Sequence, residues 1–359
     1  MEQFPAVELV GWHRSHDEYL TPPGSSHSGP EIVTAVEAHV CLRLMNIITA
    51  RAGISGRVFL FFFWAILTQS LLVAAQVSLP PVNLGLTSFE DAIAFPGWLV
   101  EEIPNYYHAG QWKDVQGNEI PGVNVLNSAS ALTHVAFISN QHVLGGFYAV
   151  EALVSVAYVH PDTSFGPNFK TGGIGDLIFA PLGLQWTKTR LARKPFFQRV
   201  MFDVVVPTGK YSNMRSVNIG SNVVSFNPYY AFTFVASDKL EISARLHYLW
   251  NSKNDEPFSG LGLKSIQPGQ ALHQNFAVSY GVAKAIRIGM NGYALEQITD
   301  NKVNGISQTG SLERVIGLGP GTEVHPTKSF WVYLNSYFET AARNRPEGLL
   351  FVLRLSKTF

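Results

Sequence analysis

Leu349-Leu350-Phe351-Val352-Leu353-Arg354-Leu355-Ser356-Lys357-Thr358-Phe359 closes the chain, and its reading decides the fold. Leu349, Phe351, Leu353, Leu355 and Phe359 share one side of an extended strand, interrupted only by Lys357. Leu350, Val352, Arg354, Ser356 and Thr358 share the other, which turns polar toward the end. A period of two with one apolar side is a β-strand. Chain ends fray in most soluble domains, so a terminal strand that is apolar to its last residue calls for a pairing partner and an apolar solvent. A transmembrane barrel supplies both, because its last strand pairs with its first and no open edge meets lipid.

Composition agrees. Charged residues make up 14% of the 359, well under the roughly 25% of an ordinary soluble domain. Aromatics at 12% and 31 glycines suit many short strands joined by tight turns. The 26 basic and 26 acidic residues balance, so no nucleic-acid partner is expected. A mean hydropathy of +0.10 is too polar for a bundle of membrane helices, but alternating strands hide their apolarity in such an average.

The first 75 residues read differently. Residues 1–44 show no sustained periodicity, contain the only cysteine, Cys41, and are expected to be an extension without a folded role. From Met45, two arginines (Arg51, Arg57) precede the apolar run Val58–Leu67, and small residues follow at Val73 and Ala75. A basic region, a ten-residue apolar core and a small-residue site form a secretory signal peptide over 45–75, cleaved before Gln76. The core is short for a membrane helix, which needs about 20 residues.

Beyond Pro96-Gly97 the spacing predicts strands near 98–113, 129–139, 143–158, 173–186, 198–209, 222–236, 240–251, 269–282, 285–299, 311–323, 328–340 and 347–359. The expected fold is therefore an all-β transmembrane antiparallel barrel over 98–359, of about 12 strands, an even number as in single-chain bacterial barrels. Short joints (140–142, 236–239, 283–284, near 326–327) alternate with long ones (114–128, 159–172, 210–221, 252–268, 300–310), as turns and loops do at the two ends of such a barrel. Residues 187–197 and 341–346 depart from that alternation. Residues 76–97 do not alternate, and Thr87–Ala94 allows a short helical turn, so this stretch is either a periplasmic tail or a plug in the lumen.

In strand 240–251 Leu240, Ile242, Ala244, Leu246, Tyr248 and Trp250 oppose Glu241, Ser243, Arg245, His247 and Asn251. The same alternation places Glu151, Asp176, Asp203, Tyr229, Glu241, Arg245, His247 and Arg287 on the inner wall as lumen-lining candidates. Trp331, Tyr333 and Tyr337 face a side no more polar than the opposite one, so their direction stays open. No residues signal chemistry. Ser243, His247 and Asn251 lie four apart on one strand, so neighbouring members are about 13 Å apart, beyond hydrogen-bond reach. Beyond His13 and His16 in the extension, the eleven histidines form no short-spaced pair, and Gly172-Gly173-Ile174-Gly175 opens a strand. No enzyme activity, cofactor or metal is expected.

Several segments together resemble the outer-membrane family named for the meta-pathway of phenol degradation. Gly173–Trp186 is similar to its Gly-x-Gly-Asp strand, and Val204–Tyr211 (VVVPTGKY) to its Leu-Pro-Thr-Gly-x-Tyr motif. Asn218-Ile219-Gly220 with Asn227-Pro228-Tyr229 resembles the following strand entry. Gly292-Tyr293 with Gln297–Lys302 matches its Gly-Tyr…Gln-x-Thr-Asp-Asp-Lys stretch, with Asn301 in place of the second acid. Gly317–Gly321 and Asn344-Arg345-Pro346 extend the likeness over 97–359. The closing strand also resembles the recognition signal of bacterial outer-membrane barrels, with Phe351, Leu353, Leu355 and Phe359 as the signal and Lys357 departing from it.

The resemblance implies a Gram-negative outer-membrane channel for passive uptake of small hydrophobic or aromatic compounds. Its expected partners are outer-membrane lipid, the barrel assembly machinery and the solute. The alternatives are a barrel lipid hydrolase or a structural barrel that displays its loops.

Overall fold

The computed structural model describes residues 78–163 and 170–359. The expected signal peptide, the extension with Cys41, and Gln76-Val77 lie outside them. Twelve antiparallel staves form one closed sheet. They are β1 Gly97–Lys113, β2 Asn124–Val143, β3 Gly146–Thr163, β4 (Thr171–Ile174 and Leu177–Leu191), β5 (Lys194–Met201 and Val204–Val206) and β6 (Ser225–Phe226 and Tyr229–Val235). Then follow β7 Leu240–Asn251, β8 Ala271–Ala283, β9 Ile286–Gln297, β10 Arg314–Thr327, β11 Phe330–Arg343 and β12 Arg345–Thr358. Each stave pairs with its chain neighbours. The ring closes between β1 and β12, from Leu99 opposite Thr358 to Lys113 opposite Arg345. Trp98 and Phe359 exchange backbone hydrogen bonds of 3.3 and 2.9 Å, so pairing holds to the last residue.

Side-chain exposure alternates as the two faces require. In β7 Glu241, Ser243, Arg245, His247 and Asn251 are buried, while Ile242, Leu246 and Trp250 are exposed. Leu272, Val278, Ile288, Leu334, Phe338 and Phe351 continue the apolar outer band. Trp98 and Tyr280 rim it at one end and Tyr158 and Trp250 at the other, the aromatic girdles of a membrane barrel. Tyr333 and Tyr337 point inward, opposite Leu334 and Phe338.

Two joints differ from expectation. Residues 187–197 are strand, joined by a turn at Ala192-Arg193, with φ of 49° and 66°. Its Lys, Arg and Pro residues project past the apolar band, where nothing demands alternation. Between β11 and β12 only Asn344 (φ 53°) intervenes, and its Nδ2 donates to Gly310 and Leu312 carbonyls at 2.8 Å. That side is therefore the loop end, despite its one short joint. The other, the turn end, carries both Gly97 and Phe359.

The sequence motifs meet one another at the loop end. Asp176 accepts hydrogen bonds from Gly209 N–H at 2.9 Å, Ser221 N–H at 2.8 Å and Ser221 Oγ at 2.5 Å. A Cβ on Gly209 would come within 2.8 Å of the Gly175-Asp176 backbone, and one on Gly220 within 2.7 Å of Gly209, so these glycines permit close backbone approach.

Candidate functional site

The lumen is occupied by the chain itself. From the loop end, Leu79 N–H donates to Glu313 Oε1 at 2.7 Å, Gly85 N–H to Asn275 Oδ1 at 2.8 Å, and Ala92 N–H to Thr233 Oγ1 at 3.0 Å. Phe95 then meets Phe197 edge-on beside the turn end, and Gly97 enters β1. Pro80 and Pro81 cannot join a ladder, and Gly85 (φ 75°) bends the path. Buried backbone must find partners, and here inward side chains supply them: Gln185 Nε2 donates to Ala92 O at 2.9 Å and Tyr337 OH to Gly85 O at 2.8 Å. Thr87, Ser88, Phe89, Asp91 and Ala92 are buried. The short helical turn allowed over Thr87–Ala94 is a single turn, closed by Ile93 N–H on Glu90 O at 2.9 Å.

The loop half of this lumen holds an apolar cluster. Ile103, Tyr293, Leu295, Val315, Tyr337 and Val352 pack against Leu79, Val82, Leu84 and Leu86 of the segment. Two phenols, Tyr107 and Tyr293, donate to Glu339 at 2.6 and 2.8 Å. Above them, burial pushes the Glu313 carboxyl upward in pKa against the pull of Arg345.

The turn half is ionic. Arg245 holds Asp91 through two bonds, Nε to Oδ2 at 2.8 Å and Nη2 to Oδ1 at 2.6 Å, with its guanidinium 4.2 Å from the Tyr229 ring centre. His134 bridges Glu101 at 2.7 Å and Glu151 at 3.1 Å. Arg354 lies 3.9 Å from Glu101 and 3.7 Å from the Tyr333 ring centre. Glu241 accepts from Ser243 and Ser279, both at 2.7 Å, and Arg287 Nε donates to Ser279 at 2.8 Å. A cavity of about 90 Å³ remains beside Asp91, Glu101, Arg199, Arg245 and Arg354, room for a few waters at about 30 Å³ each.

Glu151, Asp203, Tyr229, Glu241, Arg245 and His247 are all buried on inward-facing positions. His247 stacks on His273 at 4.2 Å, and Arg287 reaches Glu90 at 3.4 Å. Asp176 is spent on the loop clip instead. Sequence reasoning did not single out Asp91, Glu101 or His134. Glu101 and His134 face each other across the β1–β2 register, so only correct strand pairing would have joined them.

The family described as "Putative MetA-pathway of phenol degradation" matches residues 109–355. Among solved structures, the COG4313 outer membrane channel from Pseudomonas putida F1 superposes with a TM-score of 0.67 at 15% identity, covering 78% of this chain and 100% of that one. The translocator domain of the autotransporter NalP from Neisseria meningitidis gives 0.43 at 12% identity, over 74% of this chain and 90% of that one. The TodX monoaromatic hydrocarbon channel, as a deltaS2S3 mutant, gives 0.37 at 8%, over 74% and 91%. The first likeness concerns the fold, and the other two are too distant to carry an argument. No curated protein matches the sequence.

Proposed function

The chain belongs to this phenol-degradation family, and from that membership and the lumen we propose an outer-membrane channel for passive passage of small hydrophobic or aromatic compounds, with the segment from Leu79 to Phe95 as its plug. The observation that supports the reading is an apolar cluster in the loop half that is filled by the segment preceding β1 rather than by the wall alone. Leu84 and Leu86 lie among Ile103, Tyr293, Tyr337 and Val352. Once they withdraw, those residues offer a surface that a small ring fits, with Glu339 at hand for a hydroxyl. Export by the leader over 45–75 belongs to the same reading. So does assembly through the outward Phe351, Leu353 and Leu355 and the final Phe359, as a signal for the barrel assembly machinery.

Removal of residues 78–94 tests it. In planar bilayers the shortened protein is expected to pass more small solute than the intact one. In liposomes it should lose preference for aromatic solutes over sugars of equal size, because the constriction is gone. Conductance absent from both forms, with aromatic uptake equal to that of empty liposomes, would reject the channel.

A further inference from the structure

Near the turn end, three groups converge beside the clusters of Arg245 and His134. Glu90, from the luminal segment, meets Glu323 and His325 of β10, and one ligand-type atom of each lies within 4.8 Å of the others. Glu323 is wholly buried, and its Oε2 has no hydrogen-bond partner. Its Oε1 lies 2.5 Å from His325 Nε2. A buried carboxylate oxygen without a donor is costly to keep and calls for a cation or proton. Arg287 does not supply it fully: its Nε is on Ser279, its Nη2 on the Lys239 carbonyl, and its Nη1 only approaches Glu90 at 3.4 Å.

We propose that Glu90, Glu323 and His325 form a divalent transition-metal site that ties the luminal segment to the barrel wall. Two carboxylates and one imidazole nitrogen are a donor set that Zn²⁺ and Co²⁺ accept, whereas Ca²⁺ and Mg²⁺ prefer oxygen alone. Glu323 contributes Oε2, the oxygen now without a partner. His325 contributes Nε2, releasing to solvent the proton it shares with Glu323 Oε1, and that oxygen turns onto the same ion so that neither carboxylate oxygen is left without a partner. Ligand atoms of a four-coordinate ion sit about 3.4 Å apart, so the present spread closes by rotation of the partly exposed Glu90 and His325 side chains. Their exposure also gives the ion a path in and leaves the remaining positions to water. The two carboxylates, offset by Arg287, leave net negative charge to attract a dication. Glu323 and His325 stand two apart on β10, but Glu90 comes from the segment before β1 and only one ligand is a histidine, so the spacing of histidines in the sequence carries no sign of the site.

The whole chain, purified in detergent without a histidine tag and stripped with chelator, is dialysed against micromolar Co²⁺ or Zn²⁺. Bound metal is measured by elemental analysis, and the visible bands of Co²⁺ report its geometry. One ion per chain, with the bands of a four- or five-coordinate site, is expected. Glu90→Gln and His325→Gln should each weaken binding at least about tenfold, and Glu323→Gln should abolish it. His142→Gln, at a distant exposed turn, should leave it unchanged. Heat-modifiable migration identifies folded variants. If Glu323→Gln does not fold, Glu90→Gln decides the matter, because it lies outside the barrel strands. Absence of bound metal, or binding indifferent to Glu90→Gln and His325→Gln, overturns the site. Metal content is independent of conductance, so failure here is distinct from failure of the channel.

Discussion

The two halves of the lumen hold the same segment by different physics. In the loop half Leu79, Val82, Leu84 and Leu86 are held by shape, against Tyr293, Tyr337 and aliphatic neighbours. In the turn half Asp91 and Glu90 are held by charge, against Arg245 and Arg287. Shape loses stability in proportion to what is removed. A buried ion pair does not, because deleting one partner strands the other. The turn half should therefore be the more brittle latch.

Arg245→Met tests that contrast hardest. It leaves Asp91 buried without its two-bonded partner, at about 3–5 kcal/mol against docking of the segment. Ser88→Cys, buried beside Asn335, serves as reporter: it should resist maleimide in the intact protein and react once Arg245 is replaced. Adding Asp91→Leu should restore protection, because no charge is then orphaned. If the thiol stays protected in the single variant, the ionic latch is not what holds the segment.

The wall itself provides the next largest effect. Leu246→Arg places a charge toward lipid and should cost about 2–4 kcal/mol at mid-bilayer. His247→Gln, one residue on and facing inward beside His273, should cost less. Urea titration of barrels refolded into vesicles gives both values, and equal costs would mean that the two faces of β7 are not lipid and lumen.

That pair also marks how far the sequence could be read. β7 was legible because a wall between lipid and a polar lumen forces a strict period of two. β11 was legible only as a strand: Trp331, Tyr333 and Tyr337 oppose Phe330, Val332, Leu334 and Phe338, and the tyrosines' inward direction follows from Glu323 and Arg354 across the register. His134 with Glu101 and Glu151 needed the pairing of three strands. The segment from Leu79 had no period to detect, since its backbone bonds to side chains of distant strands. Residues 187–197 hid a hairpin behind charges, because beyond the lipid band the constraint that writes the pattern is gone.

Within the loop half, Gly85→Ala probes shape alone. Gly85 sits at φ 75°, and an added Cβ would lie 2.8 Å from the Tyr337 ring and 3.0 Å from that of Tyr293. Left-handed strain and overpacking together should cost about 1–3 kcal/mol. Maleimide reaction at Ser88→Cys should rise, but less than with Arg245→Met. A larger rise would reverse the order of the two latches.

Tyr337→Phe is the mildest change and the sharpest on mechanism. It keeps the ring among Ile103, Leu350 and Val352 and removes only the hydroxyl that donates to Gly85 O. A hydrogen bond of this kind contributes about 0.5–1.5 kcal/mol, too little to undock a segment also held at Asp91. If the loop half works by shape, protection of Ser88→Cys should barely change. Amide exchange at Gly85 and Leu86 should quicken within that same energy, because the bend is freed locally while Arg245 keeps its grip. Full exposure of the thiol in Tyr337→Phe would show instead that one polar contact bears the loop half, and the distinction between shape and charge would fall with it.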